Sequence, residues 1–434
     1  MTQRSQGAGS AEDLPREDGV AAEKSPAPGL RHRPVYLLSV LCAVTTVNWA
    51  DRQVVPILFP AIRTELGLSD TQLGIIGGLA FSLIYAVSSF AFGRAADYQL
   101  RTRIVAFGLL LWSLATAAGG LAQGFASLFA ARFFIGMGEA SLYPCALSLI
   151  AERYPAARRG RAVGFLGMAS ALGAGLGIAL GGAIADTLGW RNVFFLYGAA
   201  GLLLIPLVLS VPESARPQAD GEREPLVPAL RELVADRRLV SVWMSGTAMI
   251  AAAMAFATWL PSYFVRYRDW DVSETGYLFG VSMFLGGSLG SLLGGYFADI
   301  RRRIRPGGDL DVATLAAFCS VPLVVLTLAP GPHGVQLVGA ALAPLTIYAF
   351  FPTLQTTLVE LAPSHRHGIV YALHMFCLSG VGAALGPFVV GAVSDSTGNL
   401  PLALSMIVVG LVAAAVLSVR AGRLIRAQGS GVAS

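Results

Sequence analysis

The sequence predicts an all-α membrane protein of twelve transmembrane helices in two pseudo-symmetric six-helix halves, and three observations carry that expectation. The 434 residues are 55% hydrophobic and only 13% charged, with a mean hydropathy of +0.64. Such a make-up excludes an ordinary water-soluble globule. The apolar residues gather into runs of roughly 18 to 25, the length a helix needs to cross about 30 Å of hydrocarbon. Finally, the polar punctuation between the first six runs recurs between the last six.

The runs begin near Val35, Leu73, Ile104, Ser127, Ala162, Asn192, Leu239, Gly276, Val312, Val335, Ile369 and Leu400, and define spans 1 to 12. Residues 1–34, rich in Ser, Pro, Gly and Glu, cannot bury a core and read as a disordered cytosolic tail. No signal peptide is evident, because the first apolar run is already a full span. Residues 35–211 form the first half, 212–238 a polar cytosolic linker, 239–420 the second half and 421–434 a short cytosolic tail. Cys42, Cys145, Cys319 and Cys377 all lie in apolar spans without CxxC spacing and are expected to be small buried hydrophobes.

Orientation follows from the basic residues. Of the 31 Lys and Arg, all but Arg63, Arg191, Arg266, Arg268, Arg52 and Arg132 fall in the tails, the linker or the loops after even-numbered spans. Both termini are therefore expected in the cytoplasm. The net charge of +5 then marks topology and calls for no nucleic acid.

The internal repeat is specific. Gly93 and Asp97 with Arg101 and Arg103 after span 2 recur as Gly295 and Asp299 with Arg301, Arg302 and Arg303 after span 8. Glu152, Pro155, Arg158 and Gly160 recur as Glu360, Pro363, Arg366 and Gly368. Gly182, Asp186 and Gly189 recur as Gly391, Asp395 and Gly398, and the N-cap Ser69-Asp70-Thr71 as Ser273-Glu274-Thr275. Two parallel six-span units are the build of alternating-access transporters, with the binding site between the halves near the bilayer midplane. Small residues let helices approach in membranes. The stripes Gly173, Gly177, Gly181 in span 5, Gly286, Gly290, Gly294 in span 8 and Gly382, Gly386 in span 11 are accordingly expected to form sliding contacts between spans 5 and 8 and between 2 and 11.

Charges well inside a span are confined to Asp51 and Arg52 in span 1 and Arg132 and Glu139 in span 4. Intramembrane charge is costly and marks function. Arg132, Gly136, Glu139 and Tyr143 share one helix face, as do Thr45, Asn48 and Arg52, while Asp51 points about 100° away from Arg52. At about 1.5 Å per residue the four charges fall in one layer, and two acids with two bases predict a mutually paired, neutral set. Protonation of Asp51 or Glu139 would free Arg52 or Arg132 for an anionic substrate. Asn48, Thr45, Tyr143, Tyr85 and Trp259 complete the expected substrate set. Met254, Phe256, Phe279, Met283, Phe284, Phe350, Phe351, Met375 and Phe376 line an expected apolar second half, which suits an amphiphile.

These features, taken over the whole chain after the tail, resemble the major facilitator superfamily. The Gly-x-x-x-Asp plus arginine cluster is similar to its cytoplasmic gate motif, although Tyr98, Leu100 and Ile300 depart from the usual pattern. The resemblance implies that Asp97 faces the start of span 11 and Asp299 the start of span 5, with Arg101, Arg103, Arg301, Arg158 and Arg366 pairing nearby. Asp51-Arg52-Gln53, Gly67-Leu-Ser-Asp-Thr-Gln-Leu73-Gly74 and Gly136-Met-Gly-Glu-Ala140-Ser141 resemble the spinster-like branch, which moves lysophospholipids and sphingolipid-type amphiphiles. Arg159-Gly160-Arg161-Ala162 and Gly189-Trp190-Arg191 are similar to the organic-anion:cation symporter branch, which carries sugar acids with protons. Both branches imply Asp51 and Glu139 for protons and Arg52 with Arg132 near the anion.

The sequence has no GxSxG, HExxH or P-loop, so an enzyme is not expected and an ion gradient would supply the energy. The expectation is a monomeric, proton-coupled carrier in the cytoplasmic membrane, without metal or cofactor. Its substrate is an amphipathic lipid-like anion or, alternatively, a small organic anion.

Overall fold

The computed structural model describes residues 34–96, 98–213, 226–362 and 366–431, and among them the regular structure is helical throughout. Among the described residues, eleven helices are long and apolar enough to cross a membrane. These are spans 2 (Asp70–Ala95), 3 (Arg101–Gly119), 4 (Phe125–Arg153), 5 (Arg158–Leu188) and 6 (Trp190–Leu209) of the first half, and spans 7 (Arg237–Tyr267), 8 (Val272–Ile304), 9 (Asp309–Leu328), 10 (Gly334–Leu358), 11 (Ile369–Thr397) and 12 (Leu400–Ala427) of the second. Span 1 (Pro34–Leu66) completes the twelve, its apolar run diluted by Asn48, Asp51, Arg52 and Gln53. The helix of span 12 continues to Gly431, into the residues expected as the C-terminal cytosolic tail. Residues 1–33 of the expected N-terminal tail lie outside the described residues, and Pro34 already belongs to the helix of span 1.

Several helix boundaries follow from local chemistry. Ser69 opens span 2 with a capping box closed by Gln72, and Asp236 caps span 7 through the amide of Arg238. The linker holds a helix, Leu226–Ala235, whose Leu233 is buried against the second half. Among the described residues four spans are not α-helical throughout: Ile75–Leu79 of span 2 and Phe376–Gly382 of span 11 are π-helical turns, and short turns at Ala140 and Ser141 and at Leu404 interrupt spans 4 and 12.

The start of span 1 and the end of span 12 lie on one face, here the terminal face, where Pro34 accepts a bond from Tyr154 and Ile425 of span 12 packs on Gly307. The close approaches between the halves gather toward the opposite, far face. A Cβ on Gly175 of span 5 would meet the Gly280 carbonyl of span 8 at 2.8 Å, and one on Gly182 that of Val272 at 2.7 Å. Spans 2 and 11 meet likewise, Gly74 against Pro387 and Gly78 against Ala384. Toward the terminal face, Gly160, Gly164 and Gly167 of span 5 have no such neighbour within 4 Å.

The expected glycine stripes take different partners. Gly173, Gly177 and Gly181 pack on Thr46, Ala50 and Val54 of span 1, and Gly286, Gly290 and Gly294 on Pro344, Leu345 and Ala349 of span 10. Gly382 and Gly386 pack on Thr247, Ile250 and Ala251 of span 7. The regular stripes thus build each half, and interspersed glycines form the contact between halves. Both are places where removing a side chain lets backbones touch, which is why spacing alone did not separate them.

Candidate functional site: a buried charge layer between two gates

Span 1 delivers its adjacent charges in two directions. Arg52 donates from Nε (3.3 Å) and Nη2 (3.1 Å) to Glu139 Oε2 of span 4. Asp51 faces span 3 instead, where the Thr116 hydroxyl donates to its Oδ2 at 2.5 Å. Asp51, Arg132 and Glu139 are buried, while the Arg52 side chain keeps 19% of its surface exposed. The guanidinium of Arg52 sits 5.0 Å from the Trp49 ring and 4.5 Å from the rings of Phe81 and Tyr85. Arg132 lies 4.8 Å from the same Phe81 ring, so one aromatic separates two like charges.

The expected four-member paired set therefore closes one ion pair, Arg52 with Glu139. Arg132 donates from Nε to the Ile76 carbonyl at 3.4 Å. That carbonyl is available because the π turn of span 2 bonds the Ala80 amide to Ile75, one residue further back than an α-helix would. One atom each of Asp51 (Oδ1), Glu139 (Oε1), Arg132 (Nη1) and Asn48 (Nδ2) is buried without a hydrogen-bond partner. Each such atom is costly in a low-dielectric interior, so the layer is incompletely satisfied in this conformation.

Of the remaining expected substrate residues, Tyr143 accepts from Trp49 Nε1 at 3.3 Å and bonds Ser170 at 2.8 Å, which extends the layer toward span 5. Thr45 and Asn48 are buried on the span 1 face that carries Arg52. Trp259 is elsewhere: fully buried, it donates to the Pro387 carbonyl at 2.8 Å and meets the Phe59 ring at 5.7 Å, sealing the far face. Phe256, Phe279, Met283 and Phe350 are core residues of the second half, whereas Met254, Phe284, Phe351, Met375 and Phe376 remain partly exposed. Thr116, absent from the sequence-based set, gave no signal beyond being a hydroxyl in an apolar run. Cys319 is exposed on the bundle's outer surface, contrary to the expected burial, because it faces outward from span 9.

The far face is closed by carboxylates on helix starts. Asp395 of span 11 accepts from the amides of Asp70 (3.0 Å) and Thr71 (2.7 Å) at the start of span 2, and Asp186 of span 5 accepts from the Ser273 amide at the start of span 8 (2.7 Å). These are corresponding positions of the repeat. Asp70 in turn joins Arg63 of span 1 (3.1 Å), Arg266 of span 7 (2.9 Å) and the Ser394 hydroxyl (2.7 Å). Two of the four basic residues expected on this side thus converge on one buried carboxylate.

At the terminal face the expected gate residues are not gathered. Asp97 lies outside the described residues. Asp299 pairs with Arg302 of its own helix at 2.7 Å, and Arg302 also reaches Glu360 at 3.2 Å, both within the second half. Arg366 pairs with Glu232 of the linker helix at 2.5 Å. Arg103, Arg158 and Arg301 are exposed. Arg101 is fully buried inside the first half, bonded to Glu213 at 2.5 Å, to Ser148 at 3.0 Å and to Glu152. It clamps spans 3 and 4 to the head of the linker and does not bridge the halves. Burial alone would push the Glu213 carboxyl up, but the Thr102 amide and the Arg101 side chain and amide together hold it below the usual carboxylate range.

Comparison with known proteins identifies the architecture. The family model described as Major Facilitator Superfamily matches residues 41–387. The chain belongs to that superfamily. It is 30% identical over 373 residues to an MFS-type efflux pump of Mycolicibacterium smegmatis, covering 83% of this chain and 84% of that one. It is 27% identical over 396 residues to a probable L-galactonate transporter of Escherichia coli, covering 87% and 86%. It is also 26% identical over 423 residues to protein spinster homolog 1 of Homo sapiens, covering 88% and 76%. Among solved structures, a bacterial homolog of the human lysosomal transporter Spinster, inward-facing and unoccupied, superposes with a TM-score of 0.79 at 21% identity, covering 92% of this chain and 98% of that one. The superfamily membership makes this a membrane transporter and not an enzyme.

Proposed function

We propose that this superfamily member is a proton-coupled secondary transporter of the cytoplasmic membrane that moves an amphipathic anion by alternating access. The observation that carries the reading is the Arg52–Glu139 pair: Glu139 is wholly buried, whereas Arg52 is partly reachable and lies among the rings of Trp49, Phe81 and Tyr85. An anionic head would replace Glu139 on Arg52, and its apolar body would lie against those rings. Protonating Glu139 cancels the attraction that holds Arg52, so a proton and an anion load the same layer. Asp51, held by Thr116, is the second proton site, and Arg132 is the reserve cation. With the arginine-rich terminal face in the cytoplasm, the conformation is inward-facing. On the opposite stroke Asp97, Asp299, Arg103 and Arg158 would close the terminal face.

A small organic acid is the second reading. It is favoured by the likeness to a probable L-galactonate transporter and by the withdrawal of Phe256, Trp259, Phe279 and Phe350 into the core, which leaves fewer apolar groups for a long chain. Thermal stabilisation of the purified protein by a lysophospholipid and not by a hexuronate, abolished by Arg52→Ala, supports the first reading; the reverse preference supports the second. Proton-gradient-driven uptake in proteoliposomes should fall at least tenfold in Glu139→Gln, while counterflow exchange persists. Undiminished gradient-driven uptake in that variant would overturn the coupling role.

A further inference from the structure

A groove of about 790 Å³ lies between the terminal ends of spans 9 and 12, away from the charge layer. Its rim holds Arg301 of span 8, Asp311 in the first turn of span 9 and Arg426 near the end of span 12. From Asp311 the wall runs past Leu315 and Phe318 to Pro322, roughly 16 Å along the helix at 1.5 Å per residue. Leu315 is 64% exposed and Phe318 67%, so the groove opens sideways onto hydrocarbon. The wall is therefore polar at the membrane surface and apolar in depth.

The rim is charged in one sense. Asp311 is engaged by Arg305 through two bonds of 2.8 and 2.5 Å and approached by Arg426 at 3.5 Å. Arg301 makes no side-chain bond among the described residues. Asp311 is thus already engaged, and the Arg301 guanidinium leaves a positive charge in excess on the rim. An anion satisfies that excess, whereas a zwitterionic headgroup would bring its ammonium against arginines with no free carboxylate to receive it. A free phosphate would use the rim and leave the 16 Å-scale apolar wall unexplained.

We propose that this groove holds an anionic phospholipid of the adjoining leaflet, its phosphate on Arg301 and Arg426 and one acyl chain along Leu315, Phe318 and Pro322. The site is separate from the transport layer, and Arg301 serves it in the conformation described here.

Native mass spectrometry of the purified full chain tests this with phosphatidylglycerol, phosphatidylethanolamine and inorganic phosphate as probes. One phosphatidylglycerol should be retained per chain, with phosphatidylethanolamine and phosphate held at least tenfold less. The double variant R301Q/R426Q, which alters only the rim, and V419W, which fills the groove from span 12 and keeps the charges, should each lose retention about tenfold. Equal retention of the two lipids by the parent chain, or undiminished phosphatidylglycerol retention in R301Q/R426Q, would overturn the site. Should V419W fail to fold, the rim variant still decides.

Discussion

Asp51 and Arg52 point about 100° apart on one helix, and that angle assigns them different partners, Thr116 on span 3 and Glu139 on span 4. The adjacent opposite charges do not pair with each other here, because each reaches a partner on a different helix. The Thr116 hydroxyl is therefore the residue-scale support of Asp51. Thr116→Val removes one donor from a buried carboxylate whose second oxygen already lacks a partner, at an expected cost of about 1–3 kcal/mol. A thermal melt should show that loss, and Thr116→Ser should recover most of it. The position of the four charges was legible from residue types and helix spacing. Their pairing was not: which carbonyl a π turn releases, and which hydroxyl stands opposite, depend on backbone geometry that periodicity does not encode.

Individual helices are tied together by clamps that the repeat disguises. Arg101 and Arg301 occupy similar places after spans 2 and 8, yet one is buried between Glu152 and Glu213 and the other lies on the rim of an outward groove. Glu152 has a counterpart in the repeat, Glu360, but Glu213 lies in the linker, outside the repeated motifs, and it is the carboxylate that draws Arg101 inward. Glu213 has a sign-definite consequence. Its carboxyl is held below its free value of 4.5, so its contribution to stability is present above that value and is lost as pH falls through the lower, folded one. Glu213→Gln should lower the melting temperature near pH 7 and melt with a shallower decline than the parent chain between about pH 5 and 3. An identical acid limb in the two proteins would remove Glu213 from the clamp. The glycine stripes teach the same lesson at this scale: their existence and packing role were readable, and their partners required the crossing geometry.

For the whole molecule, closure of the far face depends on two carboxylates, Asp186 and Asp395, each on the first amides of a span from the other half. A carboxylate at a helix start is worth about 0.3–1 kcal/mol, so losing both shifts the balance of conformations by about 0.6–2 kcal/mol, or about threefold to thirtyfold. In the double variant D186N/D395N, a reporter cysteine at Thr258, buried beneath the seal beside Gly77 and Phe59, should react several-fold faster with an impermeant maleimide added from the far side. Unaltered protection would mean that the apolar contacts of Phe59 and Trp259 hold the face shut unaided. Both aspartates and both helix starts stood in the repeat as matching pairs, and only the fold joined aspartate to helix start across the halves.

The two crossings that join the halves are not mechanically alike. Spans 5 and 8 lie in unbroken helices of 33 residues each, Ala156–Leu188 and Val272–Ile304, which cross glycine on glycine. Spans 2 and 11 each carry a π turn in the stretch where they run side by side. One crossing is an axle and the other a jointed strut, so a rocking motion about the first would be absorbed by flexure in the second. Arg132 holds the strut at the carbonyl its joint leaves free, so any flexure there would be felt directly by the charge layer.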